Sequence, residues 1–86
     1  MKAQFVHVGH GNFIAAEHIL AIADPESAPA KKDMIVLGGV GRLRDFTKGR
    51  KIGSLIYLDD GTAIRSALYP EVIADCLGDK LWLYGI

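Results

Sequence analysis

The stretch Ser54-Leu55-Ile56-Tyr57-Leu58, Asp59-Asp60-Gly61, Thr62-Ala63-Ile64-Arg65-Ser66-Ala67-Leu68 decides the fold. Two strand-like runs flank a turn that supplies a glycine, which predicts a β-hairpin. Working outward to the C-terminal side, Tyr69-Pro70-Glu71 opens a short helix with Val72, Ile73 and Leu77 on one face. Pro70 is tolerated at that helix's start, and Gly78 is its expected stop. To the N-terminal side, residues 43–47 predict a short extended piece and residues 48–51 an exposed turn. Gly38-Gly39-Val40-Gly41 must end whatever precedes them, because glycine is unfavourable inside either regular element.

Residues 29–37 leave two readings open. Ala30, Lys31, Lys32 and Met34 favour helix, whereas Ile35-Val36-Leu37 fits a strand equally well. Ahead of them Asp24-Pro25-Glu26-Ser27-Ala28-Pro29 reads as a loop, with Ser27 as an N-cap and Pro29 in a first helical turn. Ile19-Leu20-Ala21-Ile22-Ala23 is a strand-length apolar run that Pro25 brings to an end. Residues 4–8 read as a strand, Gly9-His10-Gly11-Asn12 as a turn, and residues 13–16 as a return to extended backbone. The expected class is α+β: a small, mostly antiparallel sheet with one or two short helices packed on it.

A chain of 86 residues, half of them hydrophobic, supports one small globular domain and excludes a disordered chain. No repeat, low-complexity segment or linker divides it, so residues 1–86 form one domain with an apolar tail at 78–86. The apolar runs fall far short of the roughly 18 residues of a membrane span. Met1-Lys2-Ala3-Gln4 leads into no apolar signal segment. The lone Cys76 cannot form an internal disulfide, which fits a reducing cytoplasm.

The formal net charge is zero, which at face value argues against a nucleic-acid partner. The distribution reverses that inference. Residues 1–30 carry Lys2 against Glu17, Asp24 and Glu26, a balance of −2. Residues 31–51 carry Lys31, Lys32, Arg42, Arg44, Lys48, Arg50 and Lys51 against Asp33 and Asp45, a balance of +5. Residues 52–86 carry Arg65 and Lys80 against five carboxylates, a balance of −3. The segment 42–51 holds five basic residues, and its guanidinium groups can take phosphate oxygens in bidentate fashion. An ordinary solvated surface is the blander account of the same residues.

Other constellations are weaker. His7, His10 and His18 come with no cysteine or carboxylate at metal-ligand spacing, so no metal site is expected. Gly38-Gly39-Val40-Gly41 matches neither common phosphate-loop pattern and reads as a flexible connection. Cys76 sits in the predicted C-terminal helix among apolar residues, as a buried inert thiol. Ser27, Ser54 and Ser66 have no evident His–Asp partners, and Asp59 and Asp60 are accounted for by their turn. No catalytic residue and no cofactor are expected. The small size and the apolar run around Trp82 point to self-association.

Three stretches together resemble the RemA family. Residues 5–12 are similar to its opening strand with glycine, any residue, glycine, asparagine. Pro25-Glu26-Ser27-Ala28-Pro29, with Lys31 and Lys32 behind it, looks like its most distinctive motif. Residues 43–51, with Asp45, Thr47, Gly49 and Arg50 in place, are similar to its aspartate–threonine–glycine–arginine–basic segment. Ser66-Ala67 and Pro70-Glu71-x-x-Ala74 follow in order, so the resemblance covers about residues 5–77.

The resemblance implies a bacterial DNA-binding regulator of extracellular-matrix (biofilm) genes, a fold like the LytTR-type DNA-binding domains, and a ring-like homo-oligomer on double-stranded DNA. Arg50 matches the family's arginine after the glycine, and Lys51 replaces its second; the resemblance implies that both are central DNA contacts, with Lys51 keeping the charge but losing the bidentate fork. Arg42, Arg44 and Lys48 are expected to line the same DNA-binding surface, with Lys31 and Lys32 peripheral. His18 stands where the family pattern has an arginine, and a histidine is mostly uncharged at neutral pH. Gly53 stands where another arginine is expected. Gly38 and Gly39 fall where the pattern puts the middle of a helix, and the apolar tail replaces a polar one. The competing expectation is an oligomeric structural or protein-interaction module that has lost or weakened DNA binding.

Overall fold

The computed structural model describes residues 5–76. Phe5–Gly9 (β1) and Asn12–Ala15 (β2) form an antiparallel hairpin. Its turn runs through Gly9, His10 and Gly11 at φ of 114°, 53° and 79°. Two glycines carry that left-handed backbone without a Cβ clash. The Asn12 side-chain amide closes the turn by donating to the Gly9 carbonyl at 3.0 Å.

A single 3-10 turn at Ala16–His18 leads into Ile19–Ala23 (β3). There follow Ala28–Gly39 (α1), Leu43–Asp45 (β4), Ser54–Leu58 (β5), Ala63–Ser66 (β6) and Pro70–Cys76 (α2). The main sheet has strand order β3-β5-β6-β4. All its pairings are antiparallel except β4 with β6. The predicted hairpin is its centre, with Ile56 opposite Ile64 and Ser54 opposite Ser66. Asp60 organises the connecting turn by accepting from the Thr62 amide at 3.0 Å and its hydroxyl at 2.6 Å.

The central strands read as unbroken apolar runs because both faces of the sheet are covered. Ile56, Leu58 and Ile64 pack with Val6, Val8, Ala16 and Ile73, so the β1–β2 hairpin and α2 cover one face. Leu55 and Ala63 pack with Ala30, Met34 and Leu37, so α1 covers the other. Two buried serines fasten the central strands to the chain around them. The Ser66 hydroxyl donates to the Val8 carbonyl at 2.6 Å and accepts from the Leu68 amide at 3.1 Å. The Ser54 hydroxyl donates to the Leu68 carbonyl at 2.8 Å.

The ambiguous stretch 29–37 is helix throughout. Ala30, Met34 and Leu37 recur at helical spacing on the sheet side, and that burial decides the choice. Gly38 and Gly39 are the last two residues of α1, not an interruption in its middle. Gly41, at φ 71°, then turns the chain, and the Arg42 amide donates to the Leu37 carbonyl at 2.8 Å. Ser27 holds the N-cap position, but its side chain does not cap the helix. Its hydroxyl donates backwards to the Asp24 carbonyl at 2.8 Å. Leu77, Gly78 and the 78–86 tail lie outside the described residues.

Gly39 is a place to gain stability. A Cβ there would meet nothing within 4 Å, and its φ is not positive. Gly39→Ala is expected to stabilise the domain by about 0.5–1 kcal/mol through reduced unfolded-state entropy. A denaturant midpoint that falls would contradict this.

Candidate nucleic-acid interface

The basic segment is built on the edge strand β4. Asp45, at its end, accepts from the Thr47 amide at 2.9 Å and the Thr47 hydroxyl at 2.6 Å. Its other oxygen takes the Arg65 guanidinium at 2.9 Å across the parallel register with β6. The Thr47 hydrogen bonds, and then the Arg65 charge, hold the Asp45 carboxyl below its usual range. Thr47 is buried, so this is an anchor at the root of the loop.

Beyond the anchor the chain makes a tight turn. The Arg50 amide donates to the Thr47 carbonyl at 3.1 Å. Lys48 and Gly49 occupy the two central positions at φ 53° and 80°, a type I′ arrangement. Gly49 accepts this backbone freely, whereas Lys48 is held there by the anchored ends. Each part of the Asp-x-Thr-x-Gly-Arg segment therefore has a mechanical role. The outcome is that Lys48 and Arg50 stand exposed on a fixed turn.

The sheet sorts the remaining candidates between its two ends. The register places the start of β5 with the ends of β3, β4 and β6. At that end lie the 47–50 turn, Lys51 and the start of α1. Lys51 shares a cleft of about 240 Å³ with Glu26 and Glu71, beside Pro25, Tyr69 and Pro70. The cleft thus gathers three of the sequence motifs around one lysine. Lys31 approaches Glu26 at 3.5 Å, with both side chains largely exposed, so the pair contributes little. Lys32 is exposed on the same part of α1.

Arg42 and His18 lie at the opposite end, beside the 59–62 turn. The Arg42 carbonyl accepts from the Ala63 amide at 3.0 Å, while its side chain is exposed. Arg44 is exposed at mid-strand on β4; the Thr62 hydrogen bonds, and after them the Arg44 charge, hold the Asp60 carboxyl below its usual range. Arg42, Arg44, Lys48 and Arg50 follow one another along the β4 edge and past its end. Among the described residues, none of these four forms an ion pair within 4.0 Å.

His18 is tied into the fold. Its Nδ1 lies 2.9 Å from an Asp59 carboxylate oxygen, and its carbonyl accepts from the Asp59 amide at 2.9 Å. The Asp59 hydrogen bond and charge raise the His18 pKa above its ordinary 6.5. His18 therefore holds its proton to higher pH than an ordinary imidazole does. The sign follows from linkage: the raised folded pKa means this contribution is present below about pH 6.5 and is lost as pH rises through the folded value. Asp59→Asn is expected to move the His18 NMR titration midpoint downward; an unmoved midpoint would contradict the pairing.

Arg65 is the member that the sequence reading passed over. It orients the Asp45 anchor, and its buried Nε has no hydrogen-bond partner. The register of Asp45 with Arg65 identifies it, and that register is invisible before β4 and β6 are paired. His7 has a local role: its Nε2 accepts from the Gly11 amide at 3.3 Å and its ring lies 5.2 Å from that of Phe13. Among the described residues no group of three His, Cys, Asp or Glu side chains could hold a metal. No helix among them is long and apolar enough to cross a membrane.

These features define a small α+β domain with a cationic rim along one sheet edge and an anchored basic turn. The chain belongs to the RemA-like family, described as extracellular matrix regulatory protein A-like, whose model matches residues 5–77. It is 40% identical over 80 residues to a regulatory protein of Bacillus cytotoxicus, covering 93% of this chain and 92% of that one. Regulatory proteins of Bacillus mycoides and Bacillus cereus match at the same identity and coverage. Family and relatives alike place this chain among regulatory proteins.

Proposed function

We propose that this protein is a DNA-binding transcriptional regulator of extracellular-matrix genes. It acts in the cytoplasm as a ring-like homo-oligomer on double-stranded DNA, without a cofactor and without catalysis. The observation that carries this reading is the anchored 47–50 turn, which holds Arg50 exposed and free of any ion pair among the described residues. An arginine on a fixed turn loses little entropy on meeting a phosphate and offers it a bidentate fork. Repetition around an oligomer multiplies a weak contact by avidity, so a protomer of zero net charge still binds usefully.

Arg50 is the principal contact. Lys48, Arg44 and Arg42 extend the contact along the rim, and Lys31 and Lys32 contribute at the periphery; His18, held by Asp59 beside the opposite sheet edge, is not counted among the contacts. Lys51 counts for less than Arg50 because it lacks the bidentate fork of a guanidinium; Glu26 and Glu71 line the same cleft. Binding should fall steeply with salt as phosphate counterions are released. Electrophoretic shift titrations test this. Arg50→Ala is expected to weaken binding roughly 10- to 100-fold per contacting protomer, more than Lys51→Ala does. Equal retention of wild type and the Arg50→Ala/Lys51→Ala variant at low salt would sink the assignment.

The exposed Leu20, Ile35, Val36 and Val40 favour a second reading, an oligomeric protein-interaction module with little DNA binding. Elution from heparin at low salt, with the oligomer intact, would support that reading instead.

A further inference from the structure

Among the described residues, β3 pairs on one side only, with β5. An unpaired strand edge offers backbone N–H and C=O groups to any strand that approaches. Proteins commonly blunt such edges with charge, proline or very short strands. The β4 edge is blunted in this way: it is three residues long and carries Arg44 and Asp45. The five residues of β3 carry neither charge nor proline. Leu20 is 69% exposed, and Ala21 beside it is exposed as well. One register shift between Ile19 and Ala21 leaves Leu20 unpaired with β5. Leu20 lines a groove of about 300 Å³ against Val36 and Leu37 of α1, with Tyr57 and Asp33 in its wall.

We propose that β3 pairs antiparallel with β3 of a second copy, about a two-fold axis at Ala21. This rests on the homo-oligomer in the reading above and names one of its contacts: a two-fold pairing closes a dimer, so a ring needs a second, different contact between such dimers. The charge pattern is what selects a second copy. A two-fold axis at the centre of the strand sets Leu20 against Ile22 and Ile19 against Ala23, so the stretch meets itself with no like charges opposed. The next pair outward joins His18 to Asp24 of the second copy, and the symmetry supplies this pair twice. His18 uses Nδ1 on Asp59, which leaves Nε2 available. Asp24 uses one carboxylate oxygen on the Glu26 amide, which leaves the other available. The pairing would join two four-stranded sheets into one and bring the two Leu20 grooves together along the seam.

A disulfide at the axis tests the pairing. Directly opposed residues in an antiparallel pair have Cα atoms about 4.5–5.5 Å apart, within the range a disulfide spans. Ala21→Cys in a Cys76→Ser background is expected to oxidise almost completely to a covalent dimer in dilute solution. A Val40→Cys control should stay largely reduced. Leu20→Glu is expected to at least halve the mass seen by light scattering while the circular dichroism is retained. A wild type that is monomeric throughout the micromolar range overturns both this pairing and the homo-oligomer. An oligomeric wild type whose Ala21→Cys variant stays reduced overturns the β3 pairing alone. The disulfide result decides if Leu20→Glu fails to fold.

Discussion

Gly53→Ala is expected to destabilise the protein by about 2–3 kcal/mol, measured as a fall in the denaturant midpoint. Backbone freedom is not the cause, because Gly53 is absent from the positive-φ residues. The cause is space. A Cβ on Gly53 would lie 2.6 Å from the Ala67 carbonyl oxygen and 2.7 Å from that of Leu68. These are main-chain atoms, and they are held. The Gly53 amide donates to the Ser66 carbonyl at 2.7 Å, and the Leu68 carbonyl accepts from Ser54 at 2.8 Å. Relief would require the end of β6 to move away from β5 and loosen the Ser66 link to the β1–β2 hairpin. The same geometry bears on the arginine that the family pattern expects at this position. Gly53→Arg is expected to lose stability as Gly53→Ala does, so in this chain the glycine is a packing requirement. An unchanged midpoint for Gly53→Ala would contradict this account.

Ile56→Ala is expected to cost about 3–4 kcal/mol, from lost burial plus the cavity left behind. Ile56 is fully buried, faces Ile64, and shares its cluster with Val6, Val8 and Ile73. It therefore joins the main sheet to both elements that cover that face. A domain of this length is worth about 4–13 kcal/mol in total, so the loss is a large fraction of its stability. The comparison should be made at one protein concentration, because association adds to apparent stability. Ile35→Ala is the control: Ile35 is 77% exposed, and the change should stay within about 0.5 kcal/mol. Equal losses for the two variants would contradict a core centred on Ile56.

Much of this fold was legible along the chain. The hairpin of β5 and β6, the Gly9–Asn12 turn, the β3 run and the start of the last helix all announce themselves through local features: apolar runs, glycines that take positive φ, and a proline at a helix start. The class followed from these. What was not legible had a common cause. Residues 29–37 suit helix or strand by propensity, and burial of Ala30, Met34 and Leu37 against the sheet decides for helix. Ser27 holds the cap position the sequence predicts, but its hydroxyl bonds the Asp24 carbonyl, a partner set by the shape of the preceding loop.

The site divides along the same line. The Asp45-x-Thr47-x-Gly49-Arg50 segment reads as a unit because its hydrogen bonds are local. Arg50 and Lys51 are neighbours in the sequence and both are expected DNA contacts, yet only Lys51 shares a cleft with Glu26 and Glu71, which are far away along the chain. His18 looked like an uncharged substitute for arginine, and Asp59, brought to it by the pairing of β3 with β5, raises its pKa.

The sequence by itself determined an α+β domain, a central hairpin, a basic segment hidden within a neutral chain and its family resemblance. Backbone propensity, turn chemistry and formal charge all act within a few residues, so one dimension records them. The tertiary structure alone decided the parallel pairing of β4 with β6, the Arg65–Asp45 anchor, the requirement for glycine at 53 and the split of the cations between the two ends of the sheet. Each of these depends on strand register, which sets the face and the end to which a side chain goes. Register arises from packing residues that are distant in sequence, and no local signal carries it.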